Sequence, residues 1–150
     1  MKMPIKIEQA LLAPCGVSCF ACGAYLSEKT NCPGCRAPAE EHTRKSCMNC
    51  MKKKCAFRKG LSWCFECNRF PCSRMKDLSK RYMQNYDVDL VQNGLDARKD
   101  MDAFLQAQQK RFTCPLCGGI IDQHHRICSE CKSGVIANCL TRKERQDEVL

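Results

Sequence analysis

Six pairs of cysteines in this sequence are separated by two residues: Cys19/Cys22, Cys32/Cys35, Cys47/Cys50, Cys64/Cys67, Cys114/Cys117 and Cys128/Cys131. Scattering the chain's 16 cysteines at random over 150 positions would give roughly 1.6 such pairs, so the spacing carries information. Two intervening residues allow a tight turn that aims both sulfurs at one ion, about 2.3 Å from each, and two such turns complete a tetrahedron. Disulfides within these pairs would be strained, and in a reducing compartment they would make a poor framework. The chemistry to expect is thiolate–metal coordination.

The best-defined set is Cys114-Pro115-Leu116-Cys117-Gly118 followed by Cys128-Ser129-Glu130-Cys131. Pro115 fixes one turn dihedral, Gly118 tolerates a positive φ after the second sulfur, and Gly119 to Ile127 suits a hairpin. This reads as a zinc ribbon, with His124 and His125 as exposed loop residues beside it. Residues 1–72 hold eleven more cysteines: Cys15, Cys19, Cys22, Cys32, Cys35, Cys47, Cys50, Cys55, Cys64, Cys67 and Cys72. Pairing neighbours gives one four-thiolate site from Cys19, Cys22, Cys32 and Cys35, and another from Cys47, Cys50, Cys64 and Cys67; interleaved pairing is equally open. Cys15, Cys55 and Cys72 are left over, and His42 is a candidate fourth ligand for a further site, although a His in so polar a stretch is more often solvated. The count expected is three or four Zn2+ per chain. Cys139 falls with Val135, Ile136 and Leu140 on one face of an expected helix from Val135 to Arg142, and reads as a small buried hydrophobe.

The elements that must position these thiols have little apolar material. Aromatics number six Phe, three Tyr and one Trp, so metal must supply part of the stability that a larger core would give. The 41 residues between Cys72 and Cys114 carry no cysteine, and there the pattern turns helical. Met75, Leu78 and Tyr82 recur at helical spacing after Pro71, ending before Asn85 to Asp89. A short segment follows around Leu90, Val91, Gly94 and Leu95. A third, from about Arg98 to Phe112, places Met101, Phe104, Leu105 and Phe112 on one stripe, which should cover a metal module. The expected fold is thus a small metal-stabilised α+β protein: residues 1–72 a zinc-knuckle-rich multi-metal module, residues 73–113 a helical connector, and residues 114–150 a zinc ribbon with a short helical, charged tail from Thr141 to Leu150.

The order Ala13-Pro14-Cys15-Gly16-x-x-Cys19-x-x-Cys22, then Cys32-Pro33-Gly34-Cys35, then Cys64-x-x-Cys67-x-x-Phe70-Pro71-Cys72, and last the ribbon, resembles a cysteine-rich family of unknown function widespread in anaerobic bacteria and archaea. The resemblance implies a small cytoplasmic zinc-binding protein and carries no activity or partner with it.

The sequence itself argues against secretion, because the longest apolar run near the N-terminus, Ala10 to Ala13, is far shorter than a signal-peptide core of roughly 7 to 15 residues. No run reaches the roughly 18 to 20 apolar residues of a membrane span. The formal charge of +9 is concentrated where the thiols are, with 12 Lys and Arg against 5 Asp and Glu in residues 1–72. A zinc ion held by four thiolates carries a net charge of about −2, so much of this excess balances thiolate. Lys52, Lys53, Lys54, Arg58 and Lys59, with Phe57 and Trp63 nearby, are candidate contacts to nucleic acid, by phosphate pairing and base stacking. A protein partner is the first expectation. There is no Ser/His/Asp constellation, phosphate-binding glycine loop or paired-carboxylate motif, and Glu66 inside the Cys64/Cys67 knuckle is a weak candidate acid. The reading therefore favours a non-enzymatic zinc protein. Its competitor is an iron–sulfur electron-transfer or redox protein with the cluster in the N-terminal module, suggested by Cys15-x3-Cys19-x2-Cys22.

Overall fold

The computed structural model of the chain describes residues 1–134. The helix expected from Val135 to Arg142, the packing of Cys139 and the charged tail lie outside the described residues. Within them, six helices succeed one another: α1 (Gly23–Leu26), α2 (Lys45–Met48), α3 (Met51–Arg58), α4 (Ser73–Tyr86), α5 (Leu90–Lys99) and α6 (Met101–Phe112). Short 3-10 turns occupy Gln9–Leu11, Cys19–Ala21, Ala39–Glu41 and Cys64–Glu66.

The β part of the expected α+β class needs correction. Among the described residues there are no strands, only isolated antiparallel bridges that pair Lys2 with Gly119, Leu12 with Ser18, Thr113 with Ile120 and Ile121 with Cys128. The stretches between knuckles are taken up by tight turns, 3-10 turns and short helices, which leave no uninterrupted extended run of the about 5 to 6 residues typical of a strand. The hairpin expected after Gly118 survives as a turn in which the Asp122 amide donates to Ile127 O at 2.9 Å and the Arg126 amide to Asp122 O at 2.7 Å.

Helix α4 puts Met75, Leu78, Tyr82 and Tyr86 against Ala13, Val17, Cys19, Val88 and Leu90. It runs past the expected stop at Asn85 because Tyr86 packs edge-on against Tyr82 and His124, with ring centroids at 5.0 and 4.7 Å. Asp87, in the left-handed conformation at φ 55°, then ends it. Asp89 and Asp100 cap α5 and α6, their side chains accepting from the amides of Gln92 and Ala103, which satisfies donors that a helix start leaves open. Gly94, inside α5, is required by a close approach: a Cβ there would lie 2.5 Å from Phe70 Cζ.

The stripe on α6 does what its spacing implies. Phe104, Leu105 and Phe112 are buried with Phe20 and Phe65 from the N-terminal cysteine region and Ile120 from the C-terminal one. Helix α3, by contrast, has no apolar stripe to announce it, and Ala56 is its one buried residue. Buried polar groups tie distant segments: Ser18 Oγ donates to Gln108 Oε1 at 3.0 Å, and Gln123 donates through Nε2 to Ser18 O and through its amide to Ala21 O, both at 2.9 Å. No helix among the described residues is long and apolar enough to cross a membrane.

Candidate metal centre

The buried Phe112 and Ile120 flank the first knuckle, and the Ser129 amide donates to Ile120 O at 2.8 Å to bring up the second, so that the sulfurs of Cys114, Cys117, Cys128 and Cys131 all lie within 4.8 Å of one another. Cys117 and Cys128 stand 3.5 Å apart and Cys114 and Cys131 3.8 Å apart. A tetrahedron with metal–sulfur bonds of about 2.3 Å has edges of about 3.8 Å. These two separations therefore match what one ion would impose, and the remaining ones lie within 4.8 Å. Cys114 and Cys128 are buried while Cys131 is exposed. Gly118 has φ +74°, as the turn after the second sulfur requires. Gly119 is needed for another reason: a Cβ there would meet Cys128 Sγ at 2.9 Å and Cys117 Sγ at 3.2 Å. Its amide instead donates to Cys117 Sγ at 3.3 Å, and the Glu130 amide to Cys128 Sγ at 3.4 Å.

Hydrogen bonds from the side chain and backbone of Ser133 draw the Cys131 thiol down to about 6. Cys117 moves the other way; the Gly119 amide favours its thiolate, but burial and its three neighbouring thiols together push it up to about 11. Four mutually close thiols cannot all ionise without a cation, and a divalent ion removes that conflict.

Among the described residues, no other group of potential ligands has all its ligand atoms within 4.8 Å. The N-terminal cysteines gather more loosely around two cavities. Cys15, Cys22, Cys32, Cys35, Cys47 and Cys50 line one of about 420 Å³, whose wall also holds His42. Cys19 is buried and close to Cys35. The neighbouring Cys19 thiol, then burial, raise the Cys35 thiol, and burial followed by the proximity of Cys35 raises Cys15. Of the expected set Cys19, Cys22, Cys32 and Cys35, the last three line this one cavity and Cys19 neighbours Cys35. The structure sends Cys47 and Cys50 to the same cavity, whereas Cys64 and Cys67 line a second, of about 230 Å³, together with Cys55 and Cys72. Burial, then Cys72 and Cys55, push the Cys64 thiol up to about 11. The Arg69 amide, with Lys59 beside it, lowers that of Cys67.

Four side chains differ from expectation. His42 is buried rather than solvated, at 4% exposure; its Nε2 lies 3.3 Å from Ala37 O, and because a carbonyl only accepts, Nδ1 keeps its lone pair. His124 is half-buried, not an exposed loop residue. It accepts from the Gly23 amide at Nδ1, 3.2 Å, which leaves Nε2–H to donate to Tyr82 Oη at 3.1 Å; burial lowers its pKa. Only His125 is exposed, paired with Asp122 at 2.6 Å. Trp63 stacks on Phe65 at 5.5 Å and carries the Arg36 guanidinium 4.5 Å from its ring centroid, so its indole is already engaged. Glu66 Oε1 accepts the amides of Ser62 and Trp63, both at 2.9 Å, which is a turn-closing role and not that of an acid facing a substrate.

These features define a cysteine-rich, mostly helical chain with a cluster able to hold a metal ion. Residues 11–77 match the family model described as "Protein of unknown function (DUF3795)", in keeping with the resemblance to a cysteine-rich family of unknown function. No curated protein and no solved structure matches the chain.

Proposed function

We propose that the protein is a non-enzymatic multi-zinc protein whose metal modules hold a rigid surface for a macromolecular partner, with a zinc ribbon at Cys114, Cys117, Cys128 and Cys131. The observation that carries this is the sulfur geometry of that cluster: four thiols within 4.8 Å of one another, two pairs at 3.5 and 3.8 Å, and two of the residues buried. Four thiolates complete the coordination of zinc, and a closed site is structural, since catalysis needs an open position. Bound there, zinc would supply cross-linking between the arms that follow α6 and the turn at Asp122.

A protein is the favoured partner. For nucleic acid the candidate contacts remain Lys52, Lys53, Lys54, Arg58 and Lys59 on and after α3, beside the exposed Phe57. An iron–sulfur redox role is the second reading, supported by the crowding of Cys15, Cys22, Cys32, Cys35, Cys47 and Cys50 around one cavity, more thiols than one zinc ion takes.

Metal analysis of the full chain purified without oxygen, with a visible spectrum, separates the two readings. Colourless protein with at least three zinc ions per chain is expected. Brown protein with iron and acid-labile sulfide would replace the multi-zinc reading with the redox one.

A further inference from the structure

We propose that zinc draws Cys55, Cys64, Cys67 and Cys72, whose sulfurs line one cavity without all standing within 4.8 Å of one another, into a separate four-thiolate site, which pairs the Cys64/Cys67 knuckle with two single cysteines and not with Cys47 and Cys50. The proposal rests on the multi-zinc reading above and adds its second ligand set.

The four cysteines arrive from different elements onto one cavity of about 230 Å³. Cys55 lies in the last turns of α3, where the Lys59 amide donates to Cys55 O at 3.2 Å and the Leu61 amide to Ala56 O at 2.9 Å, turning the chain back. Cys64 and Cys67 flank the Cys64–Glu66 turn, which is held to the N-terminal segment by the Cys64 amide donating to Pro14 O at 2.8 Å. Cys72 is the residue at which α4 begins, its carbonyl accepting from the Lys76 amide at 2.9 Å. Phe70, between the last two cysteines, packs against Gly94 of α5. The Cys64/Cys67 knuckle and the link to Cys72 are therefore braced by contacts outside the site, and Cys55 and Cys72 are held by the ends of α3 and α4.

The donor chemistry is uniform. No carboxylate and no imidazole lines this cavity, so its ligands are thiols alone, a soft set suited to tetrahedral zinc. The charge is balanced as well: the cluster of one zinc and four thiolates would be doubly negative, and Lys59, Arg69 and Arg74 line the same cavity, with Lys59 Nζ 3.5 Å from Cys67 Sγ. Cys47 and Cys50 face the other cavity, with His42.

The test is zinc per chain, measured on the oxygen-free full chain for Cys55→Ser, Cys72→Ser and the double variant. Each single variant is expected to lose one zinc, and the double variant to lose that same one. Cys72→His, which restores a zinc ligand, should keep the full count. An unchanged count in Cys55→Ser or Cys72→Ser, or a loss of two in the double variant, would overturn this ligand set while leaving the multi-zinc reading intact. Wild-type chain without zinc would overturn that reading itself. If the serine variants lose every zinc by unfolding, Cys72→His decides: a full count supports the site, and a loss refutes it.

Discussion

The C-terminal cysteine cluster and the N-terminal cysteine region share the same two-residue spacing and arrive at different geometries. In the C-terminal cluster two knuckles lie ten residues apart, and one turn at Asp122 to Arg126 suffices to face them. All four sulfurs converge. In the N-terminal region the pairs are interrupted by loops of different length, by α2 and α3 and by single cysteines, and the thiols spread around two cavities. Spacing makes a knuckle; which knuckle it meets is decided by the elements between. Where those elements are short, the partner follows from the sequence, and where they carry their own helices it does not.

The largest effect should come from removing metal, and it should fall unevenly. Structural zinc contributes roughly 10 to 16 kcal/mol of binding free energy in small thiolate modules, and eleven of the chain's 16 cysteines lie in residues 1–72. A strong chelator should abolish the near-UV signal of Trp63, which sits between Phe65 and Arg36. Native spectra after complete stripping would mean that both regions are held by packing alone. Next, Cys128→Ser should remove one zinc and leave those of residues 1–72 in place. Retention of the full metal complement would show that the converged cluster is not a site.

Gly94→Ala probes the N-terminal side without touching a thiol. Alanine favours helix, but its Cβ would collide with Phe70, and such overpacking costs about 1 to 3 kcal/mol. The urea midpoint should fall while the zinc held by Cys128 stays; an unchanged midpoint would mean that Phe70 moves aside freely. The smallest effect concerns the joint between the regions. Burial depresses the pKa of His124 below its unfolded value of about 6.5, so the unfolded chain binds the proton more readily. The contribution of neutral His124 is fully present above about pH 6.5 and is lost as pH falls. His124→Gln should therefore flatten the fall in Tm between pH 7 and pH 5 relative to the wild type at matched zinc. Parallel curves for the two proteins would remove His124 as the coupling residue.

Much of the helical layer is legible in the sequence, because Met75, Leu78 and Tyr82 in α4 and Phe104, Leu105 and Phe112 in α6 mark their buried faces by periodicity. Helix α3 is not, since seven of its eight residues stay out of the core and its lysines read as a solvated run. The converged cysteine cluster follows from local spacing. The burial of His42 and the tautomer of His124 do not, for both depend on contacts with partners brought in by the tertiary fold. Gly119 is instructive: its glycine pair with Gly118 signals a turn, yet the close passage past two sulfurs is visible only once the turn is folded.

The link from Gln123 to Ser18 and Ala21 has a consequence for biosynthesis. These bonds join residues more than 100 positions apart, so the cysteine-rich segment leaves the ribosome well before the residues that close over it. At about 5 to 20 residues per second, the roughly 50 residues from Cys72 to Gln123 take about 3 to 10 s to follow. During that interval Cys19 and Cys22, which adjoin the residues Gln123 binds, stand open to whatever metal or oxidant reaches them first.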